Sequence, residues 1–213
     1  MKTEQISFNT RRARSEFVAK RFADVINGNV LDVGCYEAPL RELLCSCNYF
    51  GIDIAGNPDM KINIDTVDGL PFQNSSKDCV LCIEVLEHLE NFHSIFDELM
   101  RISNRYILIS LPNSWRDARV PLERGCGTFA HYGLPIEKPT DRHRWFFNHT
   151  QAHDFLLEKA GRHGLKVIEM FATEPKRPML LRWLRRICYP GDKYMNRYSQ
   201  TIWCVLQKSH NHT

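Results

Sequence analysis

The segment from Val30 to Leu40, which reads VLDVGCYEAPL, constrains the fold more than any other part of the chain. Its apolar run ends in an acid, a glycine turn follows, and a proline opens the next segment. This order is typical of a buried parallel strand that passes into a helix, where free backbone N–H groups and the positive helix end bind small polar ligands. The segment therefore predicts an α/β protein with a nucleotide-like ligand at this turn.

Strand and helix patterns alternate along the rest of the chain. The predicted strands cover 29–33, 49–54, 60–64, 79–83, 106–111, 165–171 and 201–207, and the predicted helices cover 9–27, 39–47, 93–102 and 150–160. Such alternation predicts a doubly wound, mostly parallel seven-stranded sheet with right-handed crossovers and helices on both faces, which is a three-layer sandwich.

The chain has 213 residues, a length that fits a single domain spanning 1–213. Two segments interrupt the regular pattern. Residues 113–148 are rich in Gly, Pro, His and aromatic residues, and this long loop is predicted to be a lid or substrate-binding insertion. Residues 174–200 are predicted to be a basic insertion before the last strand.

The positive charge is confined to the C-terminal part of the chain. From Glu174 onward there are eight Lys or Arg and two acids, whereas residues 1–173 carry 20 basic and 23 acidic groups. A nucleic-acid enzyme would more usually spread a basic face over its catalytic domain. The distribution therefore predicts that nucleic acid is not a partner.

Residues 178–189, which read PMLLRWLRRICY, form an amphipathic pattern when they are placed on a helix. Its apolar side is predicted to pack on its own domain or on a second subunit, as in a homodimer. The alternative is peripheral contact with an anionic membrane or a lipid-linked substrate, because basic helices with a Trp bind such surfaces.

The lengths of the apolar runs and the spacing of the cysteines indicate in which cellular compartment the protein is expected. No run approaches the roughly 20 residues that span a bilayer, and the first 15 residues lack an apolar secretory core, so a cytoplasmic location is predicted. Cys79 and Cys82 are three apart in a predicted strand, where their side chains point to opposite faces. The eight cysteines are therefore predicted to be reduced thiols, and no metal site is predicted.

Three further motifs follow the first in order: YFGIDI ends at Ile54, LPF stands at 70–72, and DCVLCIEVLEHLE at 78–90. As an ordered set, the motifs from about Val30 to Pro112 resemble the class I S-adenosylmethionine-dependent methyltransferases, in particular the small-molecule branch with LPF and LEH motifs. The resemblance implies an antiparallel last strand, S-adenosylmethionine as the cofactor and methyl transfer to a small-molecule acceptor. A nicotinamide dehydrogenase would need G-x-G-x-x-G after the first strand, which is absent.

The polar and aromatic lid and the basic C-terminal segment favour a sugar, a glycan precursor or a lipid-linked metabolite as the acceptor. A catalytically inactive binding or scaffold protein with the same fold remains the alternative.

Asp53 stands 21 positions after Asp32, close to the roughly 20 residues at which an acid meets a ribose hydroxyl in such folds. Asp53 is therefore the predicted ribose ligand. The resemblance places the methionine end of the cofactor beside Gly34 and Cys35, and the adenine near Ile64 and Asp65, with Asp68 as a competitor of Asp65. The predicted cofactor-binding residues are Asp32, Gly34, Cys35, Tyr36, Asp53, Ile54, Asp65 and Glu84.

Tyr36 departs from the family pattern, which usually has glycine at this position. A bulky residue with positive φ is disfavoured. Tyr36 therefore predicts either a re-aimed turn with its ring over the methionine end or weakened cofactor binding.

His143 is the predicted catalytic base, and Asp141 is its carboxylate partner in the lid sequence DRHRW. A histidine beside a carboxylate can take a proton from a hydroxyl during transfer. The alternative is that DRHRW only anchors the lid to the sheet. His131 and Tyr132 are weaker substrate-site candidates, and His88 in the LEH motif is interpreted as structural.

Overall fold

The structure is a computed structural model that describes residues 1–129, 131–139 and 141–209. Its strands are β1 Lys2–Gln5, β2 Asn29–Val33, β3 Asn48–Asp53, β4 Met60–Lys61, β5 Lys77–Ile83, β6 Ser103–Pro112, β7 Leu165–Glu174 and β8 Thr201–Lys208. Its helices are α1 Arg11–Arg21, α2 Pro39–Leu43, α3 Phe92–Ile102, α4 Ser114–Arg124, α5 His149–Arg162, α6 Met179–Cys188 and α7 Asp192–Tyr198, and a 3₁₀ turn covers Leu86–His88.

The strands form one sheet in the order β1-β7-β8-β6-β5-β2-β3-β4. All neighbouring pairs are parallel except those of β8, which runs antiparallel to both β6 and β7. The predicted doubly wound α/β class with an antiparallel last strand is confirmed. The sheet has eight strands rather than the predicted seven, because Lys2–Gln5 pairs with β7. The sequence KTEQ gives no apolar signal for this edge strand.

Helices cover both faces of the sheet. One apolar core joins α3 and α5 to a face that includes Val33, Val80 and Ile107. A second core joins α1 and α2 to the opposite face, around Leu81 and Trp203. Because the parallel strands are buried on both sides, ligand-binding groups are confined to the loops at their carboxyl ends.

Two helices that the sequence does not predict, α4 and α7, lie in the segments that it predicts to be insertions. Residues 114–124 form α4, where the sequence predicts an irregular segment. Asn113 caps this helix and Gly125, with a φ of +65°, ends it. Only Ser114 and Ala118 of α4 are buried and Pro121 lies inside the helix, so the segment has few apolar residues and a proline that usually marks an irregular region. Similarly, α7 lies within the basic segment 174–200.

The described residues include no helix that is both long and apolar enough to cross a membrane.

Candidate active site

The turn after β2 has a left-handed backbone at three of its residues. Gly34 has a φ of +77°, and a Cβ there would lie 2.3 Å from a methyl group of Val85. Tyr36 and Ala38 both have a φ of +50° although neither is glycine. The turn is therefore not re-aimed by Tyr36: it keeps the backbone that glycine usually provides, at a cost of roughly 1–2 kcal/mol per residue.

Asp53 holds this turn in place from the end of β3. Its Oδ2 accepts a hydrogen bond of 2.8 Å from the backbone N–H of Tyr36, and its Oδ1 accepts one of 3.0 Å from Ala55. Each carboxylate oxygen has further lone pairs, so the group retains capacity for ligand hydroxyls. Ile54, the next residue, is 62% exposed and offers an apolar surface beside the carboxylate.

The ring of Tyr36 faces solvent and lies under a cation from α1. The side chain is 40% exposed, and the guanidinium carbon of Arg11 is 4.6 Å from the ring centroid. This cation–π contact offsets part of the backbone strain, because such pairs contribute about 0.5–1 kcal/mol at exposed sites.

Asp32 is buried behind the turn. Its Oδ2 accepts a 2.7 Å hydrogen bond from the hydroxyl of Tyr49. Burial raises the pKa of Asp32 to about 7, although the Tyr49 hydrogen bond acts in the opposite direction. Burial, together with the neighbouring acids, raises the pKa of the Cys35 thiol to about 12, so this thiol is inert rather than nucleophilic.

Glu84 follows β5 and also has a left-handed backbone, with a φ of +53°. Its carboxylate forms an ion pair with Arg14 of α1 and accepts a 2.9 Å hydrogen bond from the Thr201 hydroxyl. Glu84, Gly34 and Asp53 thus stand at the carboxyl ends of the three neighbouring strands β5, β2 and β3. Asp65 lies in the loop between β4 and β5. Its Oδ1 accepts a 3.2 Å hydrogen bond from the backbone N–H of Asn91, which precedes α3.

A second group of side chains, which we call the histidine cluster, consists of Glu87, His88, His131, Asp141 and His143. The rings of His131 and His143 stack with centroids 4.2 Å apart, and His143 meets His88 edge-on at 4.5 Å. Asp141 Oδ1 lies 2.5 Å from Nδ1 of His88, a close approach whose alignment falls short of a hydrogen bond.

The DRHRW segment is attached to the 3₁₀ turn by its backbone. The N–H groups of Arg144 and Trp145 donate to the carbonyl oxygen of Glu87 at 2.8 and 3.4 Å, and the Trp145 indole donates to the Leu89 carbonyl at 2.7 Å. The segment is therefore an anchor, and the same attachment carries His143 to His88.

Burial shifts the acid–base properties of the cluster. Burial and the two neighbouring imidazoles lower the pKa of His143 to about 3, so its ring is neutral at pH 7. Burial raises the pKa of Glu87 to about 8, and burial also lowers the pKa of His88. The Nδ1 of His143 lies 3.1 Å from the hydroxyl of Tyr132, which donates 2.6 Å to the Trp145 carbonyl.

The histidine cluster opens into a cavity of about 370 Å³, which shares Arg11 and Arg14 with the small cavity at the turn after β2. Its lining includes Arg11, Arg14, Glu84, Glu87, His88, Asp117, His131, Asp141, His143 and Thr201. The neutral imidazole of His143 and the carboxylates of Glu84, Asp117 and Asp141 thus face the same space beside the loop that follows β5, where they can accept a proton from a ligand hydroxyl.

Sequence analysis misses Arg11, Arg14 and Glu87. The two arginines belong to a helix whose sequence RRAR reads as an ordinary solvated face. Glu87 stands in the LEH motif, yet its burial at 1% exposure follows from how the 3₁₀ turn packs and not from its neighbours in sequence.

The fold and this strand-end site define an α/β protein that binds a nucleotide-like ligand. A family model described as "Methyltransferase domain" matches residues 9–170. The chain therefore belongs to this methyltransferase family, which confirms the family predicted from the ordered motifs. A search of curated proteins finds no significant match.

Solved structures share the fold at low sequence identity. A SAM-dependent methyltransferase from Archaeoglobus fulgidus is 16% identical with a TM-score of 0.59, over 94% of this chain and 96% of that one. Magnesium protoporphyrin IX methyltransferase from Synechocystis PCC 6803, with bound SAH, is 15% identical with a TM-score of 0.56, over 97% and 90%. The small RNA methyltransferase HEN1 is 16% identical with a TM-score of 0.62, over all of this chain but 27% of its own.

Proposed function

We propose that the protein transfers a methyl group from S-adenosylmethionine to an anionic, lipid-linked or similarly amphiphilic small-molecule acceptor. The single observation that carries the methyl-transfer part is the turn from Gly34 to Ala38, closed by Asp53, in a chain of the methyltransferase family. S-adenosylmethionine is the cofactor, in keeping with the neighbours that are described as SAM-dependent or SAH-bound.

Each end of the cofactor has partners of suitable chemistry. The Asp53 carboxylate binds the ribose hydroxyls, and the exposed Ile54 side chain covers the adenine, with Asp65 as the predicted adenine-side acid. The carboxylate of the methionine end is bound by Arg11 or Arg14, which line a small cavity with Gly34, Cys35 and Asp32. Arg14 then exchanges part of its ion pair with Glu84 for the ligand carboxylate.

Methyl transfer depends more on the alignment of the reacting atoms than on reactive side chains of the protein. An acceptor oxygen attacks the methyl carbon, the carbon–sulfur bond breaks with its electron pair remaining on sulfur, and S-adenosylhomocysteine leaves. Holding oxygen, carbon and sulfur in line provides much of the rate enhancement. The hydroxyl proton is taken up in the histidine cluster, where His143 is the proposed base. Asp141 contacts His88 and His131 and is not the carboxylate partner of His143 that the sequence predicts, since Nδ1 of His143 lies at the Tyr132 hydroxyl instead.

The acceptor class rests on the orientation of α6. In this helix the arginines face the domain: Arg182 pairs with the buried Glu174, and the guanidinium carbon of Arg186 lies 4.4 Å from the ring centroid of Tyr194. None of the α6 residues is buried. The exposed apolar side chains are Met179, Leu180, Leu181, Trp183, Leu184 and Ile187. The sequence favours packing of this stripe on its own domain or on a second subunit. In the structure the stripe faces outward, so packing on its own domain is wrong, and a second subunit remains an expectation.

An outward apolar stripe next to positive charge suits the surface of an anionic membrane. Beside α6 lies a cavity of about 310 Å³ whose lining includes Arg116, Arg119, Arg177, Arg182, Arg185 and Arg197. Asp117 lines both this cavity and the one that holds the histidine cluster. A phosphate-bearing lipid could thus place its headgroup near the arginines while its acyl chain stays in the membrane under α6.

The alternative is a binding protein that has lost activity, and the left-handed Tyr36 favours it. Calorimetry with S-adenosylmethionine, followed by incubation with methyl-labelled cofactor and separate lipid and water-soluble extracts, distinguishes the two. We expect micromolar or tighter binding and label in the lipid fraction. Cofactor binding without a labelled product would support the inactive alternative. Label confined to the aqueous fraction would contradict the lipid-linked acceptor. If S-adenosylmethionine does not bind at all, both the methyltransferase and the inactive cofactor-binding protein are overturned.

A further inference from the structure

The cavity of about 310 Å³ beside α6, which we call the arginine cavity, has a surplus of positive charge. Six guanidinium groups and two carboxylates line it, namely those of Arg116, Arg119, Arg177, Arg182, Arg185, Arg197, Asp117 and Glu174. One further carboxylate, that of Glu123, pairs with Arg119 and Arg197. Three positive charges remain when all three acids are ionised, so the cavity favours an anion with more than one negative charge.

Two of the six arginines have no carboxylate partner among the described residues. The buried carboxylate of Glu174 is already paired with Arg182. Arg177 and Arg185 line the same cavity, and neither forms an ion pair within the part of the chain that the structure describes. Their guanidinium groups are therefore available to a ligand without first releasing an acid of the protein.

Three other arginines of the cavity have a buried N–H group that lacks an acceptor within the described residues. These groups are the Nε–H of Arg119, of Arg182 and of Arg197. A buried donor without an acceptor costs free energy. A ligand with several oxygen acceptors in this cavity can reduce that cost, because all three side chains contribute to the lining.

Tyrosine rings hold several of these guanidinium groups in place. The guanidinium carbon of Arg185 lies 4.5 Å from the ring centroid of Tyr198, and that of Arg119 lies 5.4 Å from the same centroid. The guanidinium carbon of Arg197 lies 4.5 Å from the ring centroid of Tyr189. A guanidinium that stacks on a ring keeps the N–H groups at its edge free, and this planar fork matches the oxygens of a phosphate.

We propose that the arginine cavity binds a diphosphate group. A phosphate monoester carries a charge of about −1.5 to −2 at pH 7, so a diphosphate, which has more ionised oxygens, matches the surplus of three positive charges more closely. The arginines are gathered in one cavity, whereas a nucleic-acid site more usually extends as a basic face along many phosphates.

The role of the diphosphate in the reaction rests on the proposed function. Asp117 lines both the arginine cavity and the cavity of the histidine cluster. A diphosphate bound by the arginines would therefore place the group that it carries beside His143. This arrangement narrows the acceptor class to metabolites that are linked to a diphosphate.

Inorganic pyrophosphate is the probe, and its binding to the full chain is measured by titration calorimetry without S-adenosylmethionine and without divalent cations. We expect one ion per chain, a dissociation constant in the micromolar range, and at least tenfold weaker binding of orthophosphate. Arg177→Gln and Arg185→Gln should each weaken pyrophosphate binding by about tenfold or more, because each removes charge-assisted hydrogen bonds. Arg186→Gln is the matched control and should bind pyrophosphate normally, because Arg186 is the next residue of α6 but lies over the Tyr194 ring and does not line the arginine cavity.

Circular dichroism shows whether each variant is folded. Lack of pyrophosphate binding by the wild-type chain, or equal affinity in wild type and both arginine variants, would overturn the site. Orthophosphate or a short RNA oligonucleotide that binds as tightly as pyrophosphate would overturn its assignment to a diphosphate. Binding of S-adenosylmethionine is measured separately: if it persists while pyrophosphate does not bind, only the diphosphate site is lost and the proposed function stands.

A lipid-linked and a soluble diphosphate present the same group to the arginines, and vesicles distinguish these two sources. Co-sedimentation is measured with phosphatidylcholine vesicles that contain farnesyl diphosphate and with vesicles that lack it. Binding that requires farnesyl diphosphate and falls at least tenfold in Arg185→Gln would support a lipid-linked diphosphate at this site. Pyrophosphate binding without vesicle binding would support the site with a soluble diphosphate. Vesicle binding that is equal with and without farnesyl diphosphate, in a chain that does not bind pyrophosphate, would overturn the site.

Discussion

The backbone N–H of Tyr36 donates a 2.8 Å hydrogen bond to Oδ2 of Asp53, which ties the turn after β2 to the end of β3. One carboxylate therefore shapes the turn and is also the proposed ligand of the ribose. This dual position explains how a tyrosine is held at a φ of +50°, since the hydrogen bond fixes the residue's backbone from the neighbouring strand.

Replacing Asp53 should weaken cofactor binding more than it lowers the stability of the fold. Asp53→Asn keeps an oxygen for one backbone N–H but loses the charge that strengthens bonds to ribose hydroxyls, which are worth roughly 1.5–3 kcal/mol. We expect S-adenosylmethionine binding to fall by about tenfold to a hundredfold by calorimetry, with a small change in melting temperature. Asp53→Ala should lose the same affinity and more stability, because it also releases the turn. An unchanged dissociation constant in both variants would remove Asp53 from the site.

Tyr36→Gly separates backbone strain from ring contact. Glycine relieves the left-handed strain of about 1 kcal/mol, but it removes the ring that lies under Arg11. We expect a chain of equal or greater stability that binds S-adenosylmethionine more weakly in calorimetry. Ala38→Gly is the matched control, because Ala38 also has a φ of +50° but is 2% exposed and carries no ring. Equal dissociation constants for wild type and Tyr36→Gly would rule out a role for the ring.

The strands and the position of Asp53 at the end of β3 were predictable because their signals are local. The apolar run of β2 and the acid at the end of β3 are read directly from VLDVG and GID. The α4 helix was not predictable, because Pro121 lies inside it and only two of its side chains are buried.

The histidine cluster depends on packing between distant segments. His143 lies 55 residues after His88, and the contact arises from backbone bonds between the DRHRW segment and Glu87. The sequence predicts His143 and Asp141 as a base and its partner, but it could not place His88 or the buried Glu87 beside them. That the apolar side of α6 does not pack on its own domain was not predictable for a similar reason, since the arginines of α6 find partners in β7 and α7.

The free energy of unfolding should fall as pH rises from about 4 to 7 because of Asp32. At pH 3 the carboxyl is protonated in both states. Above its ordinary pKa of 3.8 it ionises in the unfolded chain, but it stays protonated in the fold until about pH 7. The difference corresponds to about 4 kcal/mol at most. Denaturant unfolding of Asp32→Asn should therefore match wild type near pH 3 and exceed it near pH 8, and parallel pH curves would contradict the shifted pKa.

The apolar face of α6 should control membrane binding. Leu184→Glu removes a 46% exposed apolar side chain from that face, and burying such a side chain contributes about 1.5–3 kcal/mol. We expect tenfold or greater loss of binding to phosphatidylglycerol vesicles in co-sedimentation. Leu157→Glu, at a 42% exposed position of α5, is the control and should bind normally. If light scattering instead shows a dimer that Leu184→Glu dissociates, the face is a subunit interface and the membrane proposal fails.

His143→Asn tests the histidine cluster as the place where the acceptor loses its proton. The substitution removes an imidazole that lies 4.5 Å from His88 and lines the cavity, while the Arg144 and Trp145 backbone bonds that anchor the segment remain. Once an acceptor is identified, turnover should fall by about a hundredfold or more, since proton removal by a positioned group contributes 10²- to 10⁴-fold. Cofactor affinity should change little, because Asp53 and the turn after β2 are untouched. A variant that is folded and turns over normally would reduce His143 to an anchor, and a variant that loses cofactor affinity and turnover together would place His143 in the cofactor site instead.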